Sequence, residues 1–231
     1  MAENTTPRIS VNKLGEYIVS RGRRQREILR DQKFTTTFKG MYHREAAEAI
    51  STCIASNLEN VAVLERTIRR LEQMHPEKIG TQRRIASNID ALEAFLVMLD
   101  DIDLMGATPE LGAHRPDRLV LQNVEVSVRP EIVLRGMGRS KTPLIGGIKL
   151  HFPRSHPHND DSAGYVSAVI QEYCKSILAG NEDVFGPYCF VIDVASQTVF
   201  PGVRATTNRM KDVVAECRNI KGLWPTITED D

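Results

Sequence analysis

Residues 128–153, "VRPEIVLRGMGRSKTPLIGGIKLHFP", decide how the rest of the chain is read. Two apolar, β-branched runs in this stretch read as extended strands. Pro130-Glu131 opens the first; Pro130 cannot donate to a ladder, so it marks an edge, a bulge or a strand start. Lys149 interrupts the second run, "LIGGIKLHF". Alternation there sends Ile148, Leu150 and Phe152 to one face and Gly147, Lys149 and His151 to the other.

Working outward, "RLVLQNVEVSVRPEIVLRG" (118–136) alternates and predicts two short strands or one bent strand. "DDSAGYVSAVIQEYCKSILAG" (160–180) predicts a helix capped by Asp160 or Asp161 and ended by Gly180. "YCFVIDVASQTVFPG" (188–202) reads as a hairpin turning at "ASQ", and "TTNRMKDVVAECRNIKGLW" (206–224) as a last helix capped by Thr206 or Thr207. Residues 117–231 thus form an α/β (α+β) core with a small mixed sheet flanked by helices. Trp224 is expected to close its core by packing.

Upstream the period changes. Within 39–106, Ile50, Ile54, Leu58, Val61, Leu64, Ile68 and Leu71 recur at helical spacing. "MHPEKIG" breaks the pattern, and Ile85, Ile89, Leu92, Leu96 and Leu99 resume it. That is a long helical hairpin, which packs onto the core or forms the seam of a homodimer. Residues 1–38 are a basic N-terminal segment, with eight Arg/Lys against four Asp/Glu in the first 34 residues. Leu14, Tyr17, Ile18, Ile28 and Leu29 give an imperfect stripe on what reads as a surface helix with solvated arginines. The same crowding makes Arg21, Arg23, Arg24, Arg26 and Arg30 a candidate arm for a phosphate backbone.

Composition sets outer limits. With 30 basic and 30 acidic residues, no global polyelectrolyte argument for nucleic acid exists. Cys53, Cys174, Cys189 and Cys217 lack metal-site spacing and read as buried free thiols of a reducing, cytoplasmic compartment. No apolar run approaches membrane length and no secretory leader is visible, so no membrane partner is expected. P-loop, dinucleotide and nucleophile-elbow fingerprints are absent, which disfavours those nucleotide-binding and hydrolase classes.

The chemistry lies in the two interrupted strands. Phosphodiester hydrolysis needs a developing dianion neutralised and a hydroxide generated near neutral pH, and a Mg²⁺ ion on two carboxylates does both. An acid and a lysine two residues apart on a strand share a face. On these residues the chain resembles the PD-(D/E)XK nuclease superfamily, with its restriction-endonuclease-like core. "PE" at 130–131 matches the proline–acid element, and "GIK" at 147–149 stands at the D/E-x-K position, followed by a helix, a strand pair and a helix. The resemblance implies a metal-dependent nuclease acting on DNA or RNA with Mg²⁺ or Mn²⁺. Glu131 would be a metal ligand and Lys149 the catalytic lysine.

Gly147 departs from the pattern, since it carries no acid. Glu125, Glu172 and Asp193 are candidates for a relocated second ligand, and Asp193 stands out because it interrupts "CFVIDVAS". A buried-strand carboxylate wants a partner, so Lys149 and Asp193 form either a structural salt bridge or part of the site. Arg139, Lys141 and Arg154 cluster in sequence as candidate phosphate contacts. Glu45 reads as a solvated helix residue, with a further ligand or orienting group as the other reading, and Gln171 and Tyr173 do not have the spacing of the superfamily's glutamine–tyrosine helix. "HFPRSHPHNDD" reads as a polar loop leading to a helix cap. It also allows a metal set of His151, His156, His158, Asp160 and Asp161. The alternative to a nuclease is a non-catalytic nucleic-acid- or protein-binding module on the same fold. A third reading is an interaction module of another α/β fold.

Overall fold

The computed structural model describes residues 2–35 and 42–230, so the boundary expected at 38–39 lies outside the described residues. The chain opens with β1 (Ala2–Glu3), β2 (Arg8–Ser10), α1 (Val11–Val19), α2 (Arg23–Lys33) and β3 (Phe34–Thr35). Three helices follow: α3 (Arg44–Ala55), α4 (Ala62–Glu72) and α5 (Ile79–Val97). Then come β4 (Thr108–Leu111), β5 (Leu119–Leu121), β6 (Val124–Ser127), β7 (Ile132–Met137) and β8 (Pro143–His151). The remainder is α6 (Asp160–Tyr173), β9 (Asp183–Val184), β10 (Phe190–Asp193), β11 (Thr198–Phe200) and α7 (Thr207–Leu223).

The principal sheet has the order β11–β10–β8–β7–β4, with β9 also paired to β8. β4 with β7 and β7 with β8 are antiparallel, whereas β8 with β10 is parallel. A second sheet joins β2, β6 and β5. The 118–136 run therefore makes three strands in two sheets, not two or one. It divides where φ turns positive, at Gln122 and Asn123 (52° and 63°) and again at Arg129 (40°) before Pro130. The hairpin expected at "ASQ" is present, with β10 and β11 antiparallel around it.

Strand alternation gives the principal sheet two apolar faces, and helices cover both. On one face Ile132, Leu134, Ile148, Leu150 and Ile192 pack with Ile50, Ile54, Leu92 and Phe95 of α3 and α5. On the other, Val133, Ile145 and Val191 pack with Leu14 and Tyr17 of α1, Val166 and Val169 of α6, and Val213 and Cys217 of α7. Ile28 and Leu29 of α2 and Trp224 belong to this second cluster, so the N-terminal helices are part of the core and not a solvated appendage. Trp224 closes the core, as its position suggests, and its Nε1 donates to the Asn4 carbonyl (3.1 Å). All four cysteines are buried and free.

The expected long hairpin is instead three helices. Asn57 and Leu58 adopt left-handed φ (58° and 65°), and Ser56 Oγ accepts the Asn60 N–H (2.9 Å) to restart the chain. Periodicity hides this break because Leu58, Val61 and Ile68 still pack against the same core on either side of it. Asn88 ties the helices together. Fully buried, it accepts the Ala46 N–H (2.8 Å) and donates to the carbonyls of Tyr42 (2.7 Å) and Arg84 (2.8 Å). Asn88→Ala leaves a buried helix N–H and a carbonyl without partners, and a loss of about 2–3 kcal/mol is expected. Urea unfolding measures it; a loss under about 0.5 kcal/mol, the size of an ordinary surface change, would remove this role.

Candidate functional site

The site grows from one geometric mismatch. β8 runs on to His151, but β7 begins only at Ile132, which pairs with Ile148. Beyond that pair Leu150 has no strand partner on the β7 side, and two side chains take its place. Glu131 Oε2 accepts the Leu150 N–H (2.8 Å), and Asn12 Nδ2 of α1 donates to the Leu150 carbonyl (2.9 Å). Glu131 Oε1 then meets Lys149 Nζ at 2.6 Å, and the ammonium also donates to the Arg129 carbonyl (2.9 Å). That carbonyl is presented by the left-handed φ of Arg129, a strained conformation of the kind that collects at functional sites.

Strand parity adds the neighbours. Lys149 lies opposite Val191 and His151 opposite Asp193, so both pairs face α1 and α6. The expected Lys149–Asp193 ion pair therefore does not form. Lys149 takes Glu131, while Asp193 is wholly buried and accepts the backbone N–H groups of His158 (2.8 Å) and Ser196 (3.3 Å). Two backbone donors satisfy this carboxylate without any cation.

His151 and His158 are core residues, not parts of a polar loop. Their rings stand 4.1 Å apart. His151 Nε2 donates to the His156 carbonyl (2.9 Å), and His158 Nδ1 meets Ser162 Oγ (3.0 Å). His151 Nδ1 and His158 Nε2 are buried and have no hydrogen-bond partner among the described residues. Burial depresses both imidazoles to about 4, so both are neutral at pH 7. Lys13 and Lys149 add to the effect at His151, and His151 adds to it at His158.

α1 supplies what sequence reading missed. Asn12, Lys13 and Glu16 lie at i, i+1 and i+4 on its polar side. Glu16, nearly buried, binds Lys13 Nζ (2.6 Å) and the Arg24 guanidinium. Burial works to raise its carboxyl, but these two cations outweigh it and leave the pKa below the usual range. The legible signal is a polar trio beside the apolar positions Leu14 and Tyr17; which core it faces is not a local property.

Other expected residues lie elsewhere. Arg24 reaches the site through Glu16, whereas Arg23 pairs with Glu27 (3.0 Å) and Arg26 lies 3.4 Å from the Thr226 carbonyl. Arg21 is exposed in the turn between α1 and α2. Arg139 and Lys141 sit in the β7–β8 turn, roughly 26 Å along the strand from Lys149. Arg154, at the near end, contacts Asp90 of α5 (3.2 Å). Glu125 pairs with Arg118, Glu45 with Arg84, and Glu172 with Ser176 (3.0 Å). α6 is capped by Asn159, not Asp160 or Asp161, in a reciprocal box with Ser162.

As arranged, the residues do not fit a carboxylate-held divalent ion. Each of Glu131, Asp193 and Glu16 is turned onto its own donors, and among the described residues no three His, Cys, Asp or Glu side chains converge. Gly147 offers no ligand, and a Cβ there would lie 3.0 Å from Pro130 Cβ, a tight contact that the ring would relieve by giving a few tenths of an ångström. What the arrangement offers an anion is a held ammonium, its side chain 11% exposed, beside the exposed Arg129. Among the described residues no helix is long and apolar enough to cross a membrane. The chain matches no protein-family model and no curated protein.

Proposed function

We propose that this chain engages DNA or RNA through a degenerate PD-(D/E)XK-type centre, in which Lys149, oriented by Glu131, contacts a phosphodiester. The observation that carries the reading is the Glu131–Lys149 pair, brought to 2.6 Å between the residue just before β7 and the adjacent strand β8. The run β4–β7–β8–β10, antiparallel, antiparallel, then parallel, supports a restriction-endonuclease-like core for this pair. The occupied carboxylates and the absence of an acid at Gly147 favour phosphate engagement over hydrolysis.

Metal-assisted hydrolysis with Mg²⁺ or Mn²⁺ is the second reading, and Glu16 favours it. It is a nearly buried carboxylate on α1 whose charge is felt by His151 and His158, and it would have to leave Lys13 and Arg24 to replace the acid missing at Gly147. Binding and cleavage of labelled DNA and RNA, with and without each metal, separate the two. Lys149→Ala is expected to weaken binding about tenfold, the scale of one buried charged contact. Glu131→Ala should weaken it less, since it frees the ammonium. Unchanged binding in Lys149→Ala removes the proposal; metal-dependent cutting lost in both variants establishes the second reading.

A further inference from the structure

A cleft of about 250 Å³ opens at the same end of β8, on the sheet's other side, between α5 and the chain that leaves the strand. Its aromatic wall is His43 stacked on Phe152, with centroids 5.1 Å apart and planes 12° from parallel, and Tyr42 set edge-on to His43. The floor is one stripe of α5: Ser87, Asp90, Ala91 and Ala94 recur at helical spacing, and the two alanines leave the space open. Arg154 stands at the mouth, with its side chain 71% exposed. Its contact with Asp90 at 3.2 Å is a surface pair, cheap to exchange for a phosphate.

These features are complementary to one chemical class. A flat aromatic wall stacks a planar ring, serine and carboxylate groups read its polar edge, and a guanidinium at the rim suits the attached phosphate. His43 is kept neutral by burial and by Arg154, so the wall offers a π face and not a cation. The volume lies below the roughly 300 Å³ at which sites for drug-sized ligands begin, which suits one base better than a whole dinucleotide. Phe152 follows the end of β8 at His151 and packs on the Ile148 and Leu150 face of the sheet, opposite to Lys149.

We propose that this cleft receives an unpaired base of single-stranded nucleic acid whose adjoining phosphodiester lies at Arg154. The inference rests on the proposed function and narrows its substrate to single strands. A base in duplex would first have to leave its stack to enter.

Fluorescence anisotropy with short labelled oligothymidylate and oligoadenylate, beside a blunt duplex of equal length, tests it on the full chain. Phe152→Leu keeps an apolar side chain of similar bulk and removes the ring. It is expected to weaken single-strand binding about tenfold, the effect of losing one stacked base, and to leave the duplex unchanged. A folded Phe152→Leu protein that binds single strands as the wild type does overturns the proposal. So does a wild type that prefers duplex, or one that takes mononucleotides but no strand. Lys149→Ala is read separately. Loss with Phe152→Leu alone upholds the cleft and removes the Lys149 contact; loss with Lys149→Ala alone does the reverse.

Discussion

Acidification from neutral pH toward pH 4 is expected to remove a large share of this protein's stability. His151 and His158 titrate near 6.5 when unfolded but are held at about 4 in the fold, chiefly by burial. The folded state therefore binds fewer protons than the unfolded one in this window. The stabilisation is fully present above pH 6.5 and is lost as pH falls through 6.5 to 4. Each shift corresponds to about 3 kcal/mol, against a total stability of about 5–15 kcal/mol for an ordinary domain. The carboxylate of Glu16, also depressed, extends the loss below pH 4.5. Urea unfolding measured in steps between pH 7 and pH 4 reads the effect. The double variant His151→Gln, His158→Gln should flatten the profile in that window, and a profile as steep as the wild type's would locate the acid sensitivity elsewhere.

Gly15→Ala should destabilise the protein by about 3 kcal/mol, against its intrinsic tendency. In an exposed helix interior this exchange stabilises by about 1 kcal/mol, because alanine has less backbone freedom to lose. Here a Cβ would stand 2.6 Å from the Ser162 carbonyl oxygen and 2.8 Å from Val166 Cγ2. Neither contact can be relieved by a flexible side-chain end, so α1 must move off α6, and overpacking of this kind costs about 1–3 kcal/mol or more. The move also carries Asn12, Lys13 and Glu16 away from Leu150 and the histidine pair, so the nucleic-acid affinity proposed for this site should fall together with stability. A Gly15→Ala protein at least as stable as wild type would show that the two helices do not depend on this close approach.

The residues that make the site differ in how legible they are. Lys149 stands out in the sequence because it interrupts an apolar strand, where a charge needs a partner, and Glu131 because it opens another beside Pro130. Their pairing could not be read, since Asp193 interrupts its strand in the same way. Glu131 wins because β7 and β8 form an antiparallel pair whose register sets it beside Leu150, while Asp193 falls opposite His151 and finds two backbone donors first. Asn12 and Glu16 gave no such signal. A polar residue on a helix is expected to face water unless another element covers it, and here that element is the end of a strand 138 residues further on.

By itself, the sequence determined the parity of the strands, the helical stripes, the turn at "ASQ" and the four buried thiols, because each follows from chain-local periodicity or polarity. Parity alone puts Lys149 and His151 on one face and Ile148 and Leu150 on the other, and the sheet has them so. Only the tertiary structure decided that the basic N-terminal segment is core, that a long helical stripe is two helices in phase, and that Asn12 and Glu131 complete the ladder at Leu150. Those outcomes depend on register between strands and on how closely helices dock. Both are set by packing across the whole chain, which no local window of sequence records.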